Sequence, residues 1–574
     1  MSAMSDVGQA EAYILHGGSI HPMGDDHGVH SAILVQDGRV QAIGDIDEVR
    51  TAAGRSTLEI DLEGRSVIPG LVDTHPHALH YGVKDASVVD ISEAADYDEI
   101  IALIAAHART VPPGTWIRAT PIGDRRYYVK RTYRDLKERT MPDRHVLDRA
   151  SAEHPIVIEA TAPRTPNICS MNSMALQLLG LNDRMPERVA DVWVDKDHAG
   201  RLTGIFRGSV TFDFNLDPYW GQILSKIPRA QLSHAEQLDG VRSALRSQNA
   251  LGVTTIYEPH YMTVPQLELY RELHRNAELT VRVAGALQDE MRDVLRQPFT
   301  TAEYVEFLQE LAVELGPGDE WLRFDSLATG WGGMIWGGTS PTIEPYSDPY
   351  GNPTKGAHFV SFEKARSFIE FCADQGIHAV LHDGGGVTDA IFEVLEQPRV
   401  VEAIRRHGWL IAHAPVVTPR TMERYAALGV KATTSVGFTW SHGDMYVERI
   451  GEHLLADATP LARWRDAGIP TAHGTDWGPG QPFMHIQLAE RLELAGSGRK
   501  LTTEHHSLSR REAIAAWTSV GADVLRWPDI GSLRQGAFAD LAVLDRDPFE
   551  CEVDEVGTIA VTTTIVGGKV VYEA

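Results

Sequence analysis

His75 and His77, two residues apart in PGLVDTHPH, are the first side chains in this sequence whose type and spacing suit chemistry. On an extended strand residues i and i+2 share a face, so both imidazoles would point the same way. Three further candidates lie far along the chain: His382 in IHAVLHD, His413 in WLIAHAP and Asp476 in IPTAHGTD. Each stands at the end of a short apolar run. Four imidazoles and a carboxylate on one rim would make a ligand set for a borderline divalent cation, zinc first, with iron, manganese or nickel also suited. Five such positions, all at strand ends, are better explained by one metal site than by five separate structural residues.

The elements that must carry these residues form a regular series. Eight runs read as strands: 70–77, 252–259, 279–287, 321–328, 377–383, 409–415, 430–437 and 469–476. Amphipathic helical stretches such as FEKARSFIEFCADQG and TPRTMERYAALG lie between most of them. Eight βα units predict an α/β fold, a (β/α)8 TIM barrel, whose chemistry sits at the C-terminal ends of its strands. Residues from about 83 to 240 interrupt the series after strand one and read as an insertion, part helix and part small sheet.

Both ends of the chain are β-rich. Asp37-Gly38 and Gly567-Gly568 are hairpin signals, and the termini are expected to pair. The predicted division is a composite β-sandwich domain from 1–66 and 531–574, and a barrel over 67–530. Ser509 and Glu512 form a capping-box pattern at a late helix.

Composition excludes several classes. A net charge of −26 at pH 7 repels phosphate backbones and anionic lipid headgroups, so neither a nucleic acid nor a membrane is expected as partner. No apolar run is long enough for a membrane span and the first residues lack a secretory pattern, which predicts a cytoplasmic location. Cys169, Cys372 and Cys551 are widely separated, against both a disulfide framework and a zinc ribbon.

The segments PGLVDTHPH, IAHAPVVTP and GTDWGPG, with the tail GSLRQGAFADLAVL followed by VGGKVVYE, resemble the amidohydrolase superfamily. Within it they are most similar to the branch of YtcJ-like proteins and N-substituted formamide deformylases, over about 12–574. The resemblance implies a metal-dependent hydrolase that cleaves a non-peptide C–N bond, an amide or N-acyl bond of a small molecule, through metal-activated water. It implies His75, His77, His382, His413 and Asp476 as metal ligands, Asp476 also as general base, and His413 as ligand of a second ion or holder of the water. The alternative on the same cage is a mononuclear deaminase-like hydrolase, or a non-hydrolytic reaction such as decarboxylation. A homodimer or homotetramer is expected.

The sequence also departs from that pattern. Two-ion members bridge their metals through a carboxylated lysine or a glutamate at strand four, whereas Arg323 stands where the lysine is usual. A guanidinium cannot be carbamylated or bind a cation. Asp325 on the same face, or Glu258 at the end of strand two, could replace the bridge, so one or two ions are both open. Asn167 stands where the family usually has His, and Gly208 where it has Glu. For the substrate, Trp331 and Trp336 lie in a glycine-rich segment after strand four that suits a movable aromatic lid. Trp440, His442 and Trp477 follow strands seven and eight. The basic aromatic run 118–134 could meet a substrate carboxylate, or be a solvated face or subunit contact.

Overall fold

The apolar runs pair side by side in chain order. A computed structural model describes residues 11–53, 57–123, 131–160, 167–212, 215, 217–228, 232–288, 300–342, 344–384, 388–476 and 478–574. Its central sheet contains the strands Leu71–Asp73, Val253–Met262, Arg282–Gln288, Leu322–Gly330, His378–Asp383, Leu410–His413, Lys431–Thr434 and Thr471–His473. Every neighbouring pair is parallel. The last strand returns to the first, where Thr74 N donates to His473 O at 3.3 Å and Asp476 N to His75 O at 2.8 Å. The chain is therefore a (β/α)8 barrel. We number its strands one to eight in this order.

Alternation along the strands sorts the side chains into two layers. Val72, Tyr257, Ala284, Ala328, Val380 and Ala412 share the barrel interior with Val524, Leu525, Trp527 and Phe538. The latter close the N-terminal end of the barrel: Arg526 pairs with Asp325 early in strand four, and Lys431 at the start of strand seven donates to Asp523. Neighbours such as Leu381 and Ile411 join the layer between strands and helices. Small interior residues leave the opposite, C-terminal mouth to larger polar side chains.

Strands from both ends of the chain share one eight-stranded sheet. Ser66–Pro69 pairs antiparallel with Leu541–Leu544, which continues through Val561–Val566 to Lys569–Glu573. On its other side Ser66–Pro69 meets Ala12–Ile20, followed by His30–Gln36 and Arg39–Gly44. Asp37 and Gly38 both have positive φ, 52° and 73°, as the two-residue turn between the latter strands requires.

After strand one the helices Ala78–Ala86 and His234–Ala250 pack together through Gly82 and Gly240. A Cβ on either would lie 2.4 Å from the other's carbonyl oxygen. Between them stands a six-stranded sheet, from Arg188–Val189 at one edge to Ile117–Ala119 at the other. Helices cover it with separate cores on its two sides. Among the described residues no helix is long and apolar enough to cross a membrane.

Candidate metal centre

His75, His77, His382, His413 and Asp476 come together at the C-terminal mouth, all buried. His75 and His77 converge for a reason other than strand alternation. Strand one ends at Asp73, His75 continues it, and His77 turns into a left-handed conformation (φ 51°) before the next helix. His413 likewise departs from alternation. Ala412 already faces the interior, and the left-handed backbone at His413 and Ala414 (φ 69° and 41°) lets the next side chain reach the mouth too. Asp476 also has φ 49°. Such conformations cost about 1–3 kcal/mol for a non-glycine residue, and concentrate at functional sites.

A sixth residue, His260, lies among them. Strand two runs on through Pro259 to Met262, with a register shift after Glu258. The His260 ring centroid is 4.2 Å from that of His382, 5.1 Å from His413, 5.4 Å from His77 and 5.6 Å from His75. Proline read as the end of strand two, and so His260 escaped the sequence reading.

The donor atoms suit a cation. Three overlapping groups have one ligand atom each within 4.8 Å of one another: His75, His77 and His260; His260, His382 and His413; and His75, His413 and Asp476. His75 Nε2, His260 Nδ1 and His382 Nδ1 are buried without a hydrogen-bond partner, a state that is costly unless something is bound there. The Pro259 carbonyl accepts from His382 Nε2 at 2.9 Å, which leaves Nδ1 as the lone-pair nitrogen. Asp476 places Oδ1 3.4 Å from His77 Nε2 and Oδ2 3.4 Å from His413 Nε2.

Burial favours the neutral form of four of these rings. Desolvation, with neighbouring imidazoles, lowers His75 and His260 well below the ordinary histidine range. It pushes His382 and His413 down to about 3. A neutral imidazole is the form that binds metal.

Asp73 braces the floor of the cage. Its Oδ1 accepts from His75 N at 3.0 Å and Thr475 N at 3.1 Å, and its Oδ2 from the Thr475 hydroxyl at 2.7 Å. One buried carboxylate thus ties the ends of strands one and eight.

The expected replacements for a strand-four bridge lie elsewhere. Strand four extends to Gly330, which pairs with His382, so Arg323 and Asp325 fall near its opposite end. There the Arg323 guanidinium lies 3.9 Å from the Trp527 ring centre, and Asp325 accepts from Arg526 at 2.8 Å with both oxygens. Glu258 turns into the helix layer, accepting from Leu79 N at 3.0 Å and Tyr270 OH at 2.8 Å; burial pushes it up to about 7. Arg323, Asp325 and Glu258 are therefore structural neighbours of the barrel and not parts of the cage.

Trp331 and Trp336 follow strand four in a segment joined to strand five by a bond from Ser340 Oγ to Gly384 O, 3.1 Å. Trp336 stacks with His442 at 6.3 Å, on the helix Gly437–Arg449 after strand seven. Trp440, on that same helix, is buried, whereas Trp477 lies outside the described residues. Asn167 and Gly208 prove to be cross-strand partners in the insertion. Of the 118–134 run, 124–130 lie outside the described residues. Arg118 pairs with Glu159, and Arg131 donates to the Ser92 and Ala94 carbonyls.

Neutral nitrogens in overlapping groups of possible ligands, with Asp476 as their carboxylate among the described residues, in the mouth of a barrel, fit a class: the metal-dependent hydrolases. Residues 58–572 match the model of the amidohydrolase family. The chain belongs to that family, and is a hydrolase of carbon–nitrogen bonds. It is 25% identical to the amidohydrolase YtcJ of Bacillus subtilis (strain 168), over 98% of this chain and 99% of that one. It is 26% identical to N-substituted formamide deformylase of Arthrobacter pascens, over 94% and 95%. Among solved structures, a metal-dependent hydrolase from Pyrococcus furiosus has a similar fold, with TM-score 0.67, 22% identity, and 94% and 100% of the chains covered.

Proposed function

We propose that the protein hydrolyses an amide or N-acyl bond, other than a peptide bond, in a small molecule. Asp476 is the general base, and a single divalent cation is held by the cage. The observation that carries this reading is the placement of the Asp476 carboxylate, one oxygen beside His77 and the other beside His413. Similarity to a formamide deformylase supports the bond type.

His75, His77, His382 and Asp476 would hold the single ion, which leaves His413 for the water, with zinc the first candidate on ligand chemistry. When bound, such an ion polarises a carbonyl and lowers the pKa of water toward neutrality. The residues do the rest. Asp476 accepts a proton from the attacking water, whose oxygen bonds to the carbonyl carbon, and returns it to the nitrogen as the C–N bond breaks. The products are a carboxylic acid and an amine. His413, beside Asp476, orients the water. Trp336 and His442 offer stacked ring faces for an apolar part of the substrate.

Electrostatics favours one ion. Two divalent charges about 4 Å apart repel by about 16 kcal/mol at an effective dielectric of 20. Asp476 is the only carboxylate in the three ligand groups found among the described residues. Glu258, Asp73 and Asp325 are held by other partners. The same feature gives a second reading, a deaminase-like reaction on one ion.

Asp476→Asn tests the base. Against a panel of N-substituted formamides, N-acyl amines and aminated heterocycles, turnover should fall at least 100-fold, with the variant still folded. An active variant would overturn the assignment. Activity on heterocyclic amines alone would select the deaminase reading.

A further inference from the structure

Where two-ion relatives are expected to place an anionic bridge from strand four, this barrel has Gly330 in register with His382. Two strands away in the barrel, the end of strand two is unusually committed to the cage. Pro259 supplies the carbonyl that fixes the His382 tautomer. The next residue is His260, whose ring lies within 5.6 Å of four other imidazoles, centre to centre. Its Nδ1 is buried with no partner. Tyr261 stacks on its outer face at 3.7 Å and 18°, and is itself anchored by a 2.6 Å bond from its N–H to Gln288 Oε1. The ring is thus held in place from behind, with an unused nitrogen.

We propose that His260 is a direct ligand of the ion, so that strand two supplies a neutral imidazole where an anionic bridge is absent from strand four. This rests on the metal-dependent reading above. His260 belongs to two of the three ligand groups, one with His75 and His77 and one with His382 and His413, and is the member that links them. His378 also has a buried nitrogen without a partner, but it bonds His407 O with its other nitrogen and belongs to none of the three ligand groups. What sets His260 apart is its place among four other imidazoles. A neutral ligand also leaves more positive charge on the ion than a carboxylate would, which favours acidification of water.

The test is cobalt titration of the metal-free full-length protein, read by visible absorption and by competition with a chromophoric chelator. His260→Gln and His260→Ala should each weaken binding about 1,000-fold, beyond the 10–100-fold range typical of residues that only orient ligands. Their cobalt bands should also shift, reporting a changed ligand field. Unchanged affinity and an unchanged spectrum would overturn the ligand while leaving the metal-dependent reading intact. If neither variant folds, anomalous diffraction from the zinc-loaded native protein decides. An ion about 2.0–2.1 Å from a His260 nitrogen supports the ligand, and one beyond about 3 Å overturns it. A native protein that binds no ion overturns both readings.

Discussion

Asp73→Asn isolates the brace beneath the cage. The carboxylate accepts three hydrogen bonds, two from backbone N–H groups and one from the Thr475 hydroxyl, all buried. Bonds to a charged acceptor contribute about 1.5–3 kcal/mol each, and neutral ones about 1 kcal/mol. Asparagine keeps an oxygen for the two N–H donors, while its amide faces a hydroxyl that can rotate to accept. The expected loss is about 2–3 kcal/mol. With about 2.1 cal/mol/K per residue over 574 residues melting together, that lowers Tm by only about 2 °C. The effect on the ion should be larger relative to the native value. Asp73 fixes the backbone of His75, and His75 O in turn receives Asp476 N at 2.8 Å, so two ligands loosen together. Cobalt affinity should fall 10–100-fold, as for other residues that orient ligands. Asp73→Ala leaves all three donors unpaired and should lower Tm further. An Asn variant with native affinity would refute the claim that this carboxylate positions the ligands.

Three further outcomes follow from the packing. Arg282 and Asp540 form a buried ion pair (Nε–Oδ2 2.7 Å) between strand three and the terminal sheet; Asp540→Ala should cost about 3–5 kcal/mol in denaturant unfolding, and Arg282→Met with Asp540→Leu should recover most of it. His473 and His442 are buried and pushed down to about 3 and 4 by desolvation. Their folded values lie below the unfolded value, so the unfolded chain binds more protons and stability falls as pH drops from about 6.5 toward 4, by about 1.4 kcal/mol per group per pH unit. A metal-free protein with a flat Tm from pH 7 to 5 would contradict this. Gly82→Ala should destabilise by about 1–3 kcal/mol through overpacking against the Gly240 carbonyl, measured by the shift in urea midpoint.

Much of the barrel was legible because each strand is a β-rich run punctuated by polar residues or glycine. That punctuation placed His382 and His413 at strand ends, whereas strand eight stops at His473 and Asp476 stands in the loop just beyond. It failed where punctuation and pairing disagree. Pro259 lacks an N–H and so looks like a terminus, yet strand two passes through it after a register shift and delivers His260. Strand four was closed too early: Thr329 and Gly330 read as the start of a glycine-rich loop but pair with strand five. The whole strand therefore slides, carrying Arg323 and Asp325 to the far end. The positive φ at His77, His413 and Asp476 is set by long-range pairing and leaves no local sequence signal.

The strand Ser66–Pro69 is separated from barrel strand one by Gly70 alone, and its partner on one side is Leu541–Leu544. The rod that ends in His75 and His77 is thus clamped by a strand from the far side of the whole barrel sequence. A proteolytic cut that released this strand would weaken a metal centre to which it contributes no ligand, so damage remote from the cage in sequence and in space would be read as loss of metal affinity.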